Sequence, residues 1–256
     1  MPEPLHLVKI PLLAAAFVKI AARRGYPLRE LDDGYLAHCL LAELWQKNAP
    51  APFHLKGAPL REDGARGRGV VDVWGYTAVS ADHLANHARD FGDPTLLEAI
   101  DGGPTAISGK EMPRFEAGRR VGFLLRACPV VRTKSPRDPG RSREVDAFIA
   151  AWAKREGEPV ERERVYVEWL RDRLKDKGVS VERLALAGFS RERLVRRTQG
   201  EQRAAKTLER PDARFEGDLR VDDADAFAAL LRRGVGRHRA FGFGMLVLVP
   251  PGHGWS

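Results

Sequence analysis

Apolar positions along this chain follow two rhythms, one alternating and one returning every three to four residues. Residues 5–13, LHLVKIPLL, alternate well enough to predict a strand, with Pro11 suited to an edge or a strand end because it brings no N–H to a ladder. Residues 31–47, LDDGYLAHCLLAELWQK, set Leu36, Cys39, Leu40 and Leu44 at helical spacing behind a capping Asp32 or Asp33. REDGARGRG (61–69) reads as a loop and VVDVWGYTAVS (70–80) as a strand. Ser80 then caps a short helix that ends at Phe91. Residues 92–118 are weakly patterned and rich in turn formers, and read as the linker region between two halves.

The second half is more regular. RRVGFLLRACPVVR (119–132) predicts a strand and SPRDPGRSRE (135–144) a basic loop. Two helical segments follow, VDAFIAAWAKR (145–155) and RERVYVEWLRDRLKDKG (162–178), the latter stopping at Gly178. VSVERLALAGF (179–189) and ARFEGDLRV (213–221) are strands. Between them a charged stretch reads as a hairpin turning near Gly200. DDADAFAALLRRG (222–234) is a helix capped by Asp222 or Asp223, with Leu230 and Leu231 on its apolar side. FGFGMLVLV (241–249) reads as the last strand. The order strand, helix, strand, strand, helix, strand is that of a ferredoxin-like, or RRM-like, unit: an antiparallel sheet with two helices on one face. The expectation is an α+β chain of two tandem ferredoxin-like domains, residues 1–115 and 116–256, although no repeat between the halves is visible.

Charge sharpens this picture. Apolar residues make up 43% and charged residues 30% of the 256, which argues against disorder. The net charge is +8 and the sequence pI about 9.8. Such an excess speaks of partners, and arginine, which dominates here, suits phosphate. Nucleic acid is the expected partner; an anionic membrane or an acidic protein stays open at this level. Cys39 and Cys128, the only two cysteines, make no disulfide framework and no metal site. The first apolar run, IPLLAAAFVKIAARR, is broken by Lys19 and too short to span a bilayer, so a soluble, cytoplasmic protein without a membrane partner is expected.

RRGVGRHRAFGFGMLVLVPP (232–251) sets Gly234, Gly236, Gly242 and Gly244 and three bases, Arg237, His238 and Arg239, before an apolar run. Gly234 is placed to end a helix in a left-handed conformation. Gly242 and Gly244 would share one face of the last strand and leave it bare, so that a sugar–phosphate chain could approach beside the cations. Taken alone, the glycines read better as a helix stop above a tightly packed strand; the three cations reverse that preference, having no evident packing reason to sit there. The loop is not a P-loop, since the Gly-Lys-Ser/Thr ending is missing and the loop precedes its strand.

At this point the ending resembles the C-terminal signature of CRISPR repeat-processing endoribonucleases, specifically the CasE family of subtype I-E within the RAMP superfamily. FEGDLRV, a short helix, RRGVGR and AFGFGMLVLVPP match that signature in order. FLLRACPVVR resembles the strand that opens the family's second domain, VEWLRDRL one of its helices, and DDGYLAHCLLAEL its N-terminal helix. The resemblance implies two ferredoxin-like domains, a repeat stem-loop RNA substrate, cleavage at the base of the hairpin without metal or small-molecule cofactor, and membership of a Cascade-type surveillance complex. It places the family's catalytic tyrosine and histidine on Tyr35 and His38.

The residues suit that chemistry. Cutting RNA without metal needs a base for the 2′-hydroxyl, an acid for the leaving 5′-oxygen and positive charge at the phosphorane. Histidine titrates nearest neutrality. Tyr35 and His38, at i and i+3, share a face of one helix, and His38 lies roughly opposite Leu36 and Leu40, away from that helix's core side. The phosphate-stabilising charge is less clearly placed. Cys39 and Glu43 stand where relatives carry basic residues, leaving Arg23, Arg24 or Arg239 to substitute. RNA contacts are expected from Arg191, Arg193, Arg196, Arg197, Arg203 and Lys206 of the basic hairpin, which can lie along a stem. His83 and His87 have helical metal-ligand spacing but no third ligand, and read as exposed. The departures at Cys39 and Glu43 keep one alternative in view: a non-catalytic ferredoxin-like RNA-binding subunit of a CRISPR effector complex. A third reading is a basic scaffold for an acidic protein.

Overall fold

The computed structural model describes residues 4–23, 33–57, 69–134, 142–155, 159–197 and 205–255. Strands β1 (His6–Leu13), β2 (Phe53–Gly57), β3 (Val70–Thr77) and β4 (Ser108–Glu111) form an antiparallel sheet in the order β2-β3-β1-β4. Every second residue of β1, namely Val8, Ile10 and Leu12, is fully buried. They meet Val71 and Val73 of β3 and the helices α1 (Ala14–Arg23), α2 (Asp33–Trp45) and α3 (Ala81–Phe91) in one core. Ser80 caps α3 by accepting from the His83 N–H, as its position before the apolar run predicts.

The second sheet repeats the plan. It runs β10-β5-β9-β8, with β5 (Arg120–Ala127), β8 (Val179–Arg197), β9 (Ala205–Val221) and β10 (Leu246–Val249), all antiparallel. Helices α6 (Arg162–Leu174) and α7 (Ala224–Arg233) cover it through Tyr166, Trp169, Leu170, Phe227 and Leu230. Asp223 caps α7, accepting from the Asp225 and Ala226 N–H groups. Numbered within each half, both sheets have strand order 4-1-3-2, the ferredoxin-like order. The fold is therefore α+β, two tandem ferredoxin-like units. Leu5 and Tyr76 of the first unit are buried in the second unit's core, and the Tyr76 hydroxyl donates to the Leu246 carbonyl at 3.0 Å.

Several expectations need correction. Residues 92–118 are more than a linker: they hold α4 (Pro94–Leu97) and β4, the edge strand that completes the first sheet. Pro11 sits in an interior strand, but past the stretch of β1 that pairs with β4, so its missing N–H removes no ladder bond there. Residues 119–132 break at Cys128 and Pro129 into β5 and β6 (Val130–Lys134). Part of the expected basic loop is instead β7 (Ser142–Asp146), which pairs with β6 as a separate hairpin. α6 stops at Leu174, ahead of Gly178. The last strand begins only at Leu246. Gly242 and Gly244, with φ of 80° and 81°, cannot belong to it and lie in the preceding loop, so no bare strand face exists there. Among the described residues no helix is long and apolar enough to cross a membrane.

Candidate active site

The loop after α7 is closed by its own backbone. The Gly234 N–H ends the helix on the Leu230 carbonyl, the Val235 N–H donates to the Gly244 carbonyl at 2.8 Å, and the Gly244 N–H donates to the Arg126 carbonyl at 2.7 Å. A side chain at Gly234 would meet the Gly244 carbonyl and Pro52, one at Gly236 would press on Trp169, and one at Gly244 would run into the Val235 carbonyl. These glycines admit the protein's own atoms. Between the pinned ends, residues Arg239–Phe241 form a single tight turn flanked by left-handed His238 and Gly242.

That turn faces α2. The ring of Phe241 lies edge-on to the His38 imidazole, centroids 5.3 Å apart at 80°, and 5.9 Å from the Tyr35 ring. The two residues singled out on the N-terminal helix thus meet the glycine loop from the other end of the chain. His38, on the side of α2 away from Leu36 and Leu40, is half-buried there, and burial lowers its pKa below the ordinary 6.5. It is therefore mostly neutral at pH 7 and able to accept a proton.

Glu144 of β7 organises the bases. Its carboxylate, 8% exposed, pairs with Arg237, with His238 Nε2 at 2.9 Å and with Arg210 at 3.4 Å. Burial alone would raise its pKa, but His238, Arg237 and Arg210 outweigh burial and hold it below 4.5. Arg237 and His238 thus have a packing reason to sit in the loop, contrary to the sequence expectation. Arg239 donates to the Arg233 carbonyl at the end of α7. Arg232, Arg233, Arg237, His238, Arg239 and Phe241 line an open groove of about 560 Å³, floored in part by Ala51 and Pro52. One wall of this cationic groove is the phenyl ring that touches His38.

A second cluster stands behind the turn. Arg126 is bound through Nε to both oxygens of the buried Asp212, at 3.1 and 3.0 Å, and lies over the Phe243 ring. His54 nearby has its pKa pushed down to about 4, first by burial and then by Arg126 and Arg214. Among the described residues no group of three or more His, Cys, Asp or Glu is arranged to hold a metal ion.

The remaining expected RNA contacts are spread out. Arg191 is exposed on β8, 3.8 Å from Glu209. The paired backbones of β8 and β9 carry Arg193 opposite Glu209, Arg196 opposite Lys206 and Arg197 opposite Ala205. The long two-stranded ribbon is thus present; the side chains of Arg193, Arg196, Arg197 and Lys206 lie outside the described part. Arg203 and Arg24 fall outside the described residues altogether, and Arg23 ends α1, with its side chain not among those described.

Compared with known proteins, residues 5–250 match the family model described as "CRISPR associated protein". The chain belongs to this family. The CasE-type resemblance read from the C-terminal motif therefore holds at the family level. A curated family relative, "CRISPR-associated endoribonuclease Cse3" of Thermus thermophilus, is 32% identical over 143 residues, 54% of this chain and 59% of that protein. The solved structure "CRISPR endoribonuclease Cse3 bound to 19 nt RNA" superposes with a TM-score of 0.59 at 23% identity, covering 96% of this chain and all of that one. A chain of a "CRISPR RNA-guided surveillance complex" superposes with a TM-score of 0.53 at 15% identity, covering 95% and 99%. Phe241, Glu144 and Arg126, which shape this family member's site, were not singled out from sequence. Phe241 at least stands inside the quoted glycine motif.

Proposed function

We propose that this chain is an endoribonuclease that cuts CRISPR precursor RNA at the base of a repeat stem-loop to give mature guide RNA. The observation that carries the reading is the meeting of His38 and Tyr35 with Phe241 at the wall of an arginine-lined groove. The curated relative's name and the RNA in the first superposed structure support it. In the proposed reaction, neutral His38 takes the 2′-hydroxyl proton and the 2′-oxygen attacks the adjacent phosphorus. The 5′-oxygen leaves with a proton delivered through Tyr35. The products are a 2′,3′-cyclic phosphate and a 5′-hydroxyl. Arg239, on the turn beside Phe241, supplies positive charge to the phosphorane. The β8–β9 ribbon lies along the stem and holds its phosphates. Residues 1–115 carry the helix with His38, and 116–256 carry the ribbon and the loop. By analogy with the surveillance-complex neighbour, the chain joins other subunits of a Cascade-type complex.

The test is incubation of purified protein with repeat hairpin RNA in EDTA, followed by end-group analysis. The reading expects a 2′,3′-cyclic phosphate. It also expects His38→Ala to bind the hairpin as the wild type does while cleaving at least ~10²-fold more slowly, the usual size of a general acid–base contribution. Unchanged cleavage in that variant rejects the role of His38. Binding without any cleavage by the wild type favours the non-catalytic subunit, the reading to which Cys39 and Glu43 lend support.

A further inference from the structure

One surface outside this site is anchored from below and exposed above: the helix α5 (Ala147–Trp152). Asp146 caps it, accepting from the Phe148 N–H at 2.8 Å, and also accepts from the buried Tyr166 hydroxyl at 3.0 Å. Arg162 reaches the same carboxylate at 3.3 Å. Its guanidinium stacks on Phe148 and Phe189, 3.9 and 4.3 Å from the ring centres. The inner side of α5 is fixed by this network. Its outer side presents Ile149, 43% exposed, and Trp152, 62% exposed, one helical turn apart.

Single exposed apolar residues are ordinary, but Ile149 borders a second groove of about 380 Å³, with Trp152 one turn further along the same short helix. Ile149 lines it together with Arg143, Arg191, Glu209 and Arg210. Glu144 lines it too, and the same carboxylate holds Arg237 and His238, which line the first groove. The two grooves are therefore neighbours across one residue. Arg143 and Arg191 are exposed in the groove, where Glu209 is the one exposed acid, and Lys154 and Arg155, next to Trp152 in the chain, are exposed as well.

We propose that the outer face of α5 is a stacking platform for an unpaired nucleotide on the RNA strand that leaves the stem. The Trp152 indole takes the face of the base, Ile149 its edge, and Arg143 and Arg191 the flanking phosphates. Bases inside an A-form stem are paired and stacked and offer no free face, so an indole in this position selects unpaired RNA. Two apolar side chains beside an arginine-bearing groove fit one base between two phosphates; a stable protein interface needs a far larger apolar centre.

The inference rests on the RNA-binding reading above, and the test separates the two. Fluorescence anisotropy compares a blunt hairpin with the same hairpin carrying a single-stranded flank of about eight nucleotides, within the span such sites cover. Wild type, Trp152→Ala and Trp152→Phe are measured on both. Trp152→Ala is expected to bind the flanked RNA roughly 5- to 100-fold more weakly, the range for deleting one base-stacking side chain. Trp152→Phe restores most of the affinity, and all three proteins bind the blunt hairpin alike. Equal binding of flanked RNA by wild type and Trp152→Ala overturns the platform and leaves the patch to a protein partner. Equal weakening on both RNAs overturns it as well. Failure of the wild type to bind the blunt hairpin overturns the RNA reading itself, and the platform with it.

Discussion

Replacing Glu144 by glutamine tests whether one carboxylate holds the loop beside His38. The amide keeps the volume of the side chain and removes its charge. Arg210, 13% exposed, then loses its counter-charge inside the protein and His238, 4% exposed, loses its carboxylate partner, while Arg237, 36% exposed, recovers part of the loss from water. Stripping one partner from a buried ion pair costs about 3–5 kcal/mol. The exposed share of Arg237 gains little from pairing. About 2–3 kcal/mol remains as the expected loss. In a chain of this size each kcal/mol moves the midpoint by roughly 2–4 °C, so thermal unfolding at pH 7 should show a fall of about 5–10 °C. The difference should also depend on pH in a fixed direction. Because Glu144 titrates below 4.5 in the folded state, its contribution is complete above that value and disappears as the pH falls through the folded pKa. The two proteins should therefore converge in strong acid. A midpoint within about 1 °C of wild type at pH 7 would refute the argument, as would a gap that widens on acidification.

Further outcomes follow from the same structure. If His38 is the base, burial of its ring makes the single-turnover cleavage rate flat from pH 7 upward and falling only on acidification below 6.5; a rate still climbing between pH 7 and 8 contradicts this. Tyr76→Phe removes one buried hydrogen bond between the two sheets and should cost about 1 kcal/mol in urea unfolding, with no change in the slope against urea; an unaltered midpoint would show that the bond to the Leu246 carbonyl contributes nothing. Gly234→Ala places a methyl group against the Gly244 carbonyl and Pro52 at φ 69°, ψ 176°, a region essentially reserved for glycine. A loss of about 2 kcal/mol or more is expected by calorimetry, and a neutral result would mean that the loop end is not built as described.

Much of this was legible in the chain. The helices with a polar cap and an apolar stripe, α3 and α7, lie where the pattern puts them, and so does α2. The strand order of the second half identified its unit. What was missed lacks a local signal. β4 is Ser-Gly-Lys-Glu, exposed throughout, and is a strand only because β1 offers it an edge. Phe-Gly-Phe-Gly before Met245 imitates an alternating strand, but its glycines adopt positive φ to close a loop. Glu144 looks like any acid in a charged stretch; its burial is set by a loop near the other end of the chain. Tyr35 and His38 could be named from the helix motif, whereas their contact with Phe241 arises only when the two sheets pack.

The pairing of α2 with the turn at residues 239–241 means that neither ferredoxin-like unit alone holds the proposed reaction centre. Widening of that junction would separate Phe241 from His38 and Tyr35 while both sheets stay intact. On gentle warming, catalytic competence should fade ahead of any cooperative melting. Evolution can in turn retune the optimum temperature by altering residues along that junction, leaving His38 and Tyr35 untouched.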